Sequence, residues 1–493
     1  MISKKLQRAR DFEKKYMPYV EEERPRFHVT GGIGWINDPN GFSVYKGEYH
    51  LFFQYHPYTN IWGPMHWGHV KTKDFIKWER LPVAMAPDRD FDRDGCFSGS
   101  AVELPDGRQL LMYTGVYKVR REDGFMQEMQ HQCIAIGDGV DYEKYDGNPV
   151  LEGSDLPDGG SFIDFRDPKI WREGDTFYAV VGNRTDDGSG SILLYESKDC
   201  YNWKFDCILD ACYNEYGKMW ECPDFFPLDG KHVLLVSPQE MTPLGLEFHA
   251  GYGTVALLGD YDKENFKFDR QRVQAIDYGI DFYAPQTLET PDGRRIMIAW
   301  MQNWTTTNCQ PQGIRFFGEM TLPRELSVRN GRLCQNPVRE LANYHGRKVS
   351  YENLVINREC NLSGVKGRVL DMTIRVRPSG DNLYSWFKLN LAKDGEHSVV
   401  IRYKPSSNTV RIDRTRCGGR FDIVHVRDFM VTPTKNGEIT MRVVMDRDSV
   451  ELFVNEGEQA ATFRFFAPET AQAISFESDV PVVLDVEKYS LNL

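Results

Sequence analysis

One unit recurs five times in the first two thirds of the chain: a polar turn that contains glycine, then a strongly apolar stretch. Its copies read KGEYHLFFQY, DGRQLLMYTG, EGDTFYAVVG, DGKHVLLVSP and DGRRIMIAWM. Their glycines are 60, 67, 56 and 63 residues apart; they are Gly47, Gly107, Gly174, Gly230 and Gly293. Such turns suit the positive φ of tight hairpins, so each unit predicts a turn that enters a buried strand. The period leaves room for four strands per repeat and indicates a five-bladed β-propeller rather than a sandwich or a solenoid.

Beyond about residue 340 the repeat stops, and apolar and polar residues alternate in stretches such as DMTIRVRP and TVRIDRTR. This period of two predicts an antiparallel β-sandwich with one face in water. We therefore expect an all-β chain with a five-bladed β-propeller catalytic domain over residues 27–340 and a C-terminal β-sandwich over 345–493. Residues 1–26 are expected to form a helical appendage on the surface, with a short helix at 4–16. We expect the sandwich to stabilise the propeller or to support a homo-oligomer, in preference to binding carbohydrate.

Acidic residues fall at matching positions ahead of the repeat glycines. Four positions lie 9 residues before their glycine and one lies 7 before it; they hold Asp38, Ser98, Asp167, Glu221 and Ala284, the last preceded by Tyr283. The innermost strand of each blade precedes the turn and faces the central channel, so these side chains are predicted to converge at one end of it. Three carboxylates in matching register are not the pattern of ordinary turn acids.

Gathered carboxylates disfavour one another's ionisation, so one of them is expected to stay protonated near neutral pH. One protonated and one ionised acid are the pair that cleaves glycosidic bonds. They lie about 5–5.5 Å apart in retaining enzymes and about 6.5–9.5 Å apart in inverting ones, and the sequence leaves this choice open. Among the aromatic residues near these positions, we expect Trp62, Trp300 and Trp304 to stack on a sugar ring.

Net charge and composition exclude several other classes of protein. The chain has 60 Lys and Arg against 72 Asp and Glu, a formal charge of −12, which argues against nucleic-acid binding. No stretch approaches the about 18 apolar residues of a membrane span, and the charged N-terminus lacks the apolar region of a signal peptide, so we predict a cytoplasmic protein without membrane contact. The 10 Cys are expected to be reduced thiols. The pair His66 and His69 lacks an acidic third ligand nearby, and we expect no metal and no cofactor.

Four motifs in order carry a family resemblance: WINDPNG at 35–41, FSGS at 97–100, RDP at 166–168 and EC at 221–222. WGPMHWGH at 62–69 and FYAPQ at 282–286 add to them. With these motifs the chain resembles glycoside hydrolase family 32 over nearly its whole length. That family comprises invertases (β-fructofuranosidases), sucrose-6-phosphate hydrolases, inulinases and levanases, and it joins a five-bladed propeller to a β-sandwich.

The resemblance implies a retaining double displacement on a terminal β-fructofuranosyl unit. Asp38 would be the nucleophile, Glu221 the general acid and base, and Asp167 the stabiliser of the transition state. The residues expected to contact the sugar are Asn37, Gln54, Trp62, Phe97, Ser98, Arg166, Tyr283, Trp300 and Trp304. Glu221 lies between Trp220 and Cys222, with Pro223 following, and is expected to have a dry setting that raises its pKa. The amides of Asn37 and Asn40 are expected to keep Asp38 ionised.

Sucrose or short fructo-oligosaccharides are the expected substrates. Three alternative functions are also enzymatic: a sucrose-6-phosphate hydrolase, a fructosyltransferase with the same triad, and an inverting arabinan-type glycosidase on the same architecture. An alternative of another class is a sugar-binding propeller without catalysis, against which the intact Asp38, Asp167 and Glu221 weigh.

Overall fold

The computed structural model describes residues 2–307, 315–380, 383–419 and 423–493. The one α-helix among these residues, α1 (Lys4–Tyr16), begins after Ser3, whose side chain accepts a hydrogen bond from the amide of Leu6. A 3₁₀ segment, Met17–Glu23, follows directly. The predicted short N-terminal helix is confirmed, and the remaining regular structure is almost entirely β.

Helix α1 packs into the molecule more deeply than a surface appendage would. It buries Leu6, Ala9 and Glu13. The Glu13 carboxylate accepts hydrogen bonds from the Tyr55 hydroxyl and the Gly32 amide, and a Cβ added to Gly32 would lie 2.2 Å from Glu13 Oε1. The close approach requires glycine at this position. The N-terminal segment therefore holds the chain immediately before the first strand of the propeller.

Five sheets of the propeller follow one another along the chain, each with its strands in sequence order from the inside outward. The first contains β1 (Gly34–Tyr45), β2 (Glu48–His56), β3 (His66–Thr72) and β4 (Trp78–Met85). The second contains β5 (Gly95–Glu103), β6 (Gln109–Arg120), β7 (Met126–Gly137) and β8 (Tyr142–Lys144). The third contains β9 (Arg166–Glu173), β10 (Thr176–Arg184), β11 (Gly190–Ser197) and β12 (Trp203–Ala211).

The fourth sheet contains β13 (Trp220–Leu228), β14 (Lys231–Pro238), β15 (Val255–Asp262) and β16 (Lys267–Ala275). The fifth contains β17 (Tyr283–Glu289), β18 (Arg295–Trp300), β20 (Arg324–Arg329) and β21 (Arg332–Pro337), while β19 (Phe316–Phe317) pairs in parallel with β1 of the first sheet. The innermost strands β1, β5, β9, β13 and β17 contact one another in turn, and β17 returns to β1. The five-bladed β-propeller is thus a closed ring, as predicted.

The repeat glycines all lie in the turn between the first and second strand of a blade. Each has a positive φ, between 59° and 81°. Apolar residues of the following strands are buried between neighbouring blades, among them Leu111, Val181 and Leu235. The turn glycines that define the repeat in the sequence therefore also mark where each inner strand ends.

The C-terminal region is a β-sandwich, again as predicted. Its strands are β22 (His345–Ile356), β23 (Leu370–Pro378), β24 (Phe387–Lys393), β25 (Ser398–Lys404), β26 (Thr409–Arg416), β27 (Val426–Met430), β28 (Ile439–Asp446), β29 (Ser449–Val454), β30 (Gln459–Arg464), β31 (Ala473–Ser478) and β32 (Val482–Leu491). One sheet has the order β22-β32-β23-β28-β29-β30 and the other the order β27-β26-β25-β24-β31. Alternating residues such as Ile374, Leu389 and Val443 fill the space between the sheets.

Buried charges join the propeller to the sandwich. The ring nitrogens of His28 lie 2.9 Å from Asp446 Oδ2 and 2.9 Å from Glu451 Oε1. The guanidinium of Arg324 bonds to Glu451 on one side and to Asp277 on the other. Burial lowers the pKa of His28, but hydrogen bonds and attraction to Asp446 and Glu451 outweigh it and raise that pKa to about 10. His28 is therefore a cation at neutral pH.

We expect alkaline pH to weaken this interface. The folded pKa of His28 lies above its ordinary value of 6.5, so its contribution to stability is complete below about pH 6.5 and is lost as the pH rises through about 10. Replacing His28 by Gln should lower the free energy of unfolding at pH 7 by about 3 kcal/mol, because it leaves the buried Asp446 carboxylate without its cation and leaves Glu451 with Arg324 alone. Thermal denaturation of both proteins from about pH 6 to 10 should show the two Tm values converging. Parallel curves would refute this account of the interface.

No helix among the described residues is long and apolar enough to cross a membrane. The predicted cytoplasmic location, the possible homo-oligomer and the domain boundaries at 26, 340 and 345 stay predictions.

Candidate active site

All five innermost strands are irregular near the same end. Each loses register with its neighbour there, which is typical of a β-bulge. The irregularities lie between Ile36 and Pro39, Phe97 and Gly99, Glu221 and Asp224, and Tyr283 and Gln286, and opposite Val180–Gly182 in the third blade. A bulge re-aims a side chain out of the strand alternation, and in the first four blades it turns a polar group toward the centre of the ring. These groups are Asp38, Ser98, Asp167 and Glu221.

These groups surround a cavity of about 350 Å³. Its lining residues are Asn37, Asp38, Gln54, Trp62, Phe97, Ser98, Glu128, Gln130, Ile163, Asp164, Arg166, Asp167, Glu221, Gln239, Tyr252 and Trp304. Ten of the twelve residues named from the sequence are among them. The other two, Tyr283 and Trp300, lie behind the wall.

Asp38 lies on β1 and is almost fully buried. Its carboxylate accepts hydrogen bonds from Ser98 Oγ at 2.7 Å and from Asn37 Nδ2 at 3.1 Å, and Cys222 Sγ lies 3.6 Å away. Asn40 does not take part: its Oδ1 accepts from the amide of Gly99, and its Nδ2 has no hydrogen-bond partner among the described residues. The predicted amide support for Asp38 is thus half right, and the serine of the FSGS motif supplies the shorter bond.

Burial outweighs these donors. It raises the pKa of Asp38 to about 6, with repulsion from Glu221 as the second cause and the hydrogen bonds from Ser98 and Asn37 opposing it. The pKa of Asp38 thus lies above its ordinary value of 3.8, because burial separates the carboxylate from water and the hydrogen bonds from Ser98 and Asn37 offset this only in part. That the amides keep Asp38 ionised at neutral pH stays a prediction. Burial, followed by repulsion from Glu221, likewise raises the pKa of Asp167 to about 7.

Asp167 and Cys222 both have positive φ, 64° and 50°, at the bulges of β9 and β13. The amide of Cys222 donates to Asp167 Oδ2 at 3.0 Å, and Thr114 Oγ1 accepts from the amide of Asp167 at 2.9 Å. The Cys222 thiol lies between Asp38 and Asp167, 3.6 Å and 3.7 Å from their carboxylates. This contact explains a cysteine directly after Glu221: a small side chain fits between the two acids.

Glu221 has polar partners rather than the dry setting that Trp220 and Pro223 predict. The Tyr283 hydroxyl lies 2.6 Å from its Oε2, and the Arg166 guanidinium lies 3.3 Å from its Oε1. The reason is the direction of the bulge, which turns Glu221 into the cavity and leaves the Trp220 indole in the core, donating to the Tyr216 carbonyl.

The aromatic residues divide into two groups. Trp62, at the rim, is 41% exposed and lies edge-on to Phe97 with ring centroids 6.0 Å apart, and Trp304 lines the inner wall. Trp300 is fully buried, packed against Trp35 and Trp304 with its centroid 6.1 Å and 5.2 Å from theirs. The expectation that Trp300 stacks on a sugar is therefore wrong, because the ring is fully buried and does not line the cavity.

Tyr283 is also fully buried, and only its hydroxyl reaches the site, through Glu221. Sequence reasoning missed six lining residues. They are Glu128, Gln130, Ile163, Asp164, Gln239 and Tyr252. Asp164 could have been predicted from the RDP motif, since it lies two residues before Arg166, and its carboxylate pairs with the Arg166 guanidinium at 2.9 Å.

A propeller that aims three carboxylates, two of them buried, and the rings of Trp62 and Trp304 into one cavity has the equipment of a glycosidase. Family models agree: "Glycosyl hydrolases family 32 N-terminal domain" matches residues 28–337, and "Glycosyl hydrolases family 32 C terminal" matches 340–490. The chain belongs to glycoside hydrolase family 32, and the resemblance seen in its motifs is confirmed.

Relatives cover nearly the whole chain. A sucrose-6-phosphate hydrolase of Zymomonas mobilis is 37% identical over 474 residues, 92% of this chain and 89% of its own length. A raffinose invertase of Escherichia coli is 34% identical over 460 residues, 92% of this chain and 91% of its own. Among solved structures, a β-fructofuranosidase of Bombyx mori matches with a TM-score of 0.82 and 33% identity, over 99% of this chain and 98% of that one.

Proposed function

We propose that the chain hydrolyses the bond to a terminal β-fructofuranosyl unit, with sucrose or a short fructo-oligosaccharide as substrate and with retention of configuration. The observation that carries this proposal is the different environment of two acids in one cavity. Asp38 has hydroxyl, amide and thiol donors, whereas Glu221 has a phenol and a guanidinium. The names of the relatives support the substrate class.

In the first step, a carboxylate oxygen of Asp38 attacks the anomeric carbon of fructose while Glu221 gives its proton to the departing glycosidic oxygen. The bonds from Ser98 and Asn37 hold the Asp38 carboxylate in place for this attack. In the second step, Glu221 takes a proton from water, which attacks the same carbon and releases Asp38.

Asp167 is proposed to hold fructose hydroxyls and to stabilise the positive charge that develops on the ring. Its Oδ2 is occupied by the Cys222 amide, while among the described residues no donor contacts its Oδ1. One oxygen is thus fixed and the other faces the sugar. Phe97 and Trp62 supply apolar surface at the rim.

The pH dependence of the reaction should report the raised pKa of Asp38. The nucleophile acts only when ionised, so kcat/KM is expected to fall tenfold per pH unit below about pH 6, well above the ordinary Asp value of 3.8. Because Asp38 and Asp167 interact, the acidic limb of the pH–rate profile reports the titration of both carboxyl groups together. A profile that stays flat down to about pH 4.5 would contradict the burial argument.

Product analysis tests the proposal and its alternatives. NMR during early sucrose turnover should show β-fructofuranose before mutarotation. Release of the α-anomer first would identify an inverting enzyme, and absence of reducing sugar would identify a binding protein. Fructosylated sugars dominating over free fructose at high sucrose would identify a transferase.

A further inference from the structure

One hydroxyl group beside the general acid has two acceptors and a single proton. Tyr283 Oη lies 2.6 Å from Glu221 Oε2 and 2.9 Å from the carbonyl oxygen of Ser237. A phenol donates one hydrogen bond and can accept another, whereas a peptide carbonyl only accepts. The Tyr283 hydroxyl therefore has one proton to give to two oxygens.

We propose that Tyr283 is a positioning residue whose hydroxyl changes partner as Glu221 gains and loses its proton. When Glu221 is ionised, the hydroxyl donates to its Oε2. When Oε2 holds a proton it no longer needs a donor, and the hydroxyl donates to the Ser237 carbonyl instead. The same phenol thus matches the acid of the first step and the base of the second. This inference rests on the proposed function and adds a residue that acts through Glu221.

The other oxygen of Glu221 explains why the proton belongs on Oε2. Two nitrogens of the Arg166 guanidinium, Nε and Nη2, lie 3.3 Å from Glu221 Oε1. A guanidinium has only donors and keeps its charge, so it holds Oε1 as an acceptor in both states of Glu221. Protonation therefore falls on Oε2, beside a neighbour that can both donate and accept.

Tyr283 is held in place and keeps its own proton. Its ring is fully buried and lies edge-on to Tyr252, with ring centroids 5.8 Å apart. Ser237 also fixes the bulge of β17, since its Oγ accepts from the amide of Ala284, which has a φ of 52°. Burial, followed by repulsion from Glu221 and the hydrogen bond to it, raises the pKa of Tyr283 well above its ordinary value. Only the direction of the hydroxyl therefore changes.

Glu221 has other charged and titratable neighbours, and a change confined to the Tyr283 hydroxyl leaves all of them in place. They lie on four of the five inner strands and on the segment before β15, and they are Asp38, Arg166, Asp167, Cys222 and Tyr252. Among the described residues, the Tyr283 hydroxyl forms hydrogen bonds with Glu221 and the Ser237 carbonyl alone.

Removing this hydroxyl should shift the pH dependence of the reaction in one direction. The alkaline limb of kcat/KM reports loss of the proton that the general acid donates. A hydrogen bond to a charged carboxylate is stronger than one to its neutral form, so Tyr283→Phe destabilises ionised Glu221 more than protonated Glu221. We expect the alkaline limb to move to higher pH by about half a unit or more. Replacing Tyr283 by 3-fluorotyrosine, whose phenol is a stronger donor, should move it to lower pH.

The experiment measures the pH profile of kcat/KM on sucrose for the full-length wild type, the two Tyr283 variants and Tyr195→Phe. Tyr195 is the matched control, since its ring is fully buried in the third blade and its hydroxyl donates to the carbonyl of Asp155 at 3.1 Å. Because Tyr283 lies behind the cavity wall, Tyr283→Phe should lower kcat about threefold to tenfold and change KM by less than about twofold. Both limbs of the control should keep their positions.

An alkaline limb that stays in place or moves to lower pH in Tyr283→Phe would overturn the inference. So would shifts in the same direction for both Tyr283 variants, or an equal shift in the control. If Tyr283→Phe does not fold, the 3-fluorotyrosine variant retains the hydroxyl and tests the inference by the direction of its shift. A wild type without activity on sucrose or fructo-oligosaccharides would instead refute the proposed function, so the two failures are distinguishable.

Discussion

Asp38→Asn is expected to lose nearly all sucrose hydrolysis and to keep its fold. The amide has the shape of the carboxylate but cannot attack the anomeric carbon, so no fructosyl intermediate forms. We expect kcat/KM to fall by about a thousandfold or more, which corresponds to about 4 kcal/mol of transition-state stabilisation. Initial rates on sucrose measure this effect. Retention of more than about a tenth of wild-type kcat/KM would contradict the role of Asp38.

Stability provides the control for this variant. Burial raises the pKa of Asp38, so its ionised form is penalised in the folded protein, and a neutral amide removes that cost. The Tm of Asp38→Asn should equal or exceed that of the wild type. Asp106→Asn, in the exposed turn before β6, is a matched substitution that should change neither activity nor Tm by much.

Glu221→Gln is expected to show a loss that depends on the leaving group. Sucrose needs a proton on its departing oxygen, and general acid catalysis of this kind is worth about 10²–10⁴-fold in rate. A β-fructofuranosyl fluoride needs little such help, because fluoride leaves readily. We expect the variant to lose about 10³-fold in kcat/KM on sucrose but less than about tenfold in the first burst of fluoride release.

A loss of the same size on both substrates would show that Glu221 is not the acid. Tyr283→Phe distinguishes the loss of a hydrogen bond to Glu221 from the loss of its carboxyl group, since it removes the hydroxyl 2.6 Å from Glu221 and retains the buried ring. It should reduce activity on sucrose far less than Glu221→Gln does.

The blade count and the converging acids were readable from the sequence because of one local requirement. A tight hairpin turn needs positive φ, so glycine recurs there and marks the end of each inner strand. Counting back from the glycines then finds the residues of the ring centre. Strand alternation marked the sandwich for a similarly local reason.

The remaining residues that line the cavity could not be predicted from the sequence, because their positions depend on contacts between strands and blades. Glu128 reaches the cavity on β7, since β6 and β7 form a hairpin of twelve residues in each strand. Trp300 ends a second strand, and nothing local tells whether its ring faces the cavity or the core. The bulge that turns Glu221 inward and Trp220 outward also leaves no signal in the sequence, because the residue of positive φ beside Glu221 is Cys222 and not a glycine.

Trapping the intermediate tests the central claim most directly. The Glu221→Gln variant, mixed with β-fructofuranosyl fluoride and quenched, should form a covalent ester that breaks down slowly, because the base for the second step is missing. Peptide mass spectrometry should find one fructosyl unit on the peptide containing Asp38, and none in the variant that also carries Asp38→Asn. A fructosyl group on another residue, or fluoride release without any covalent adduct, would contradict the account.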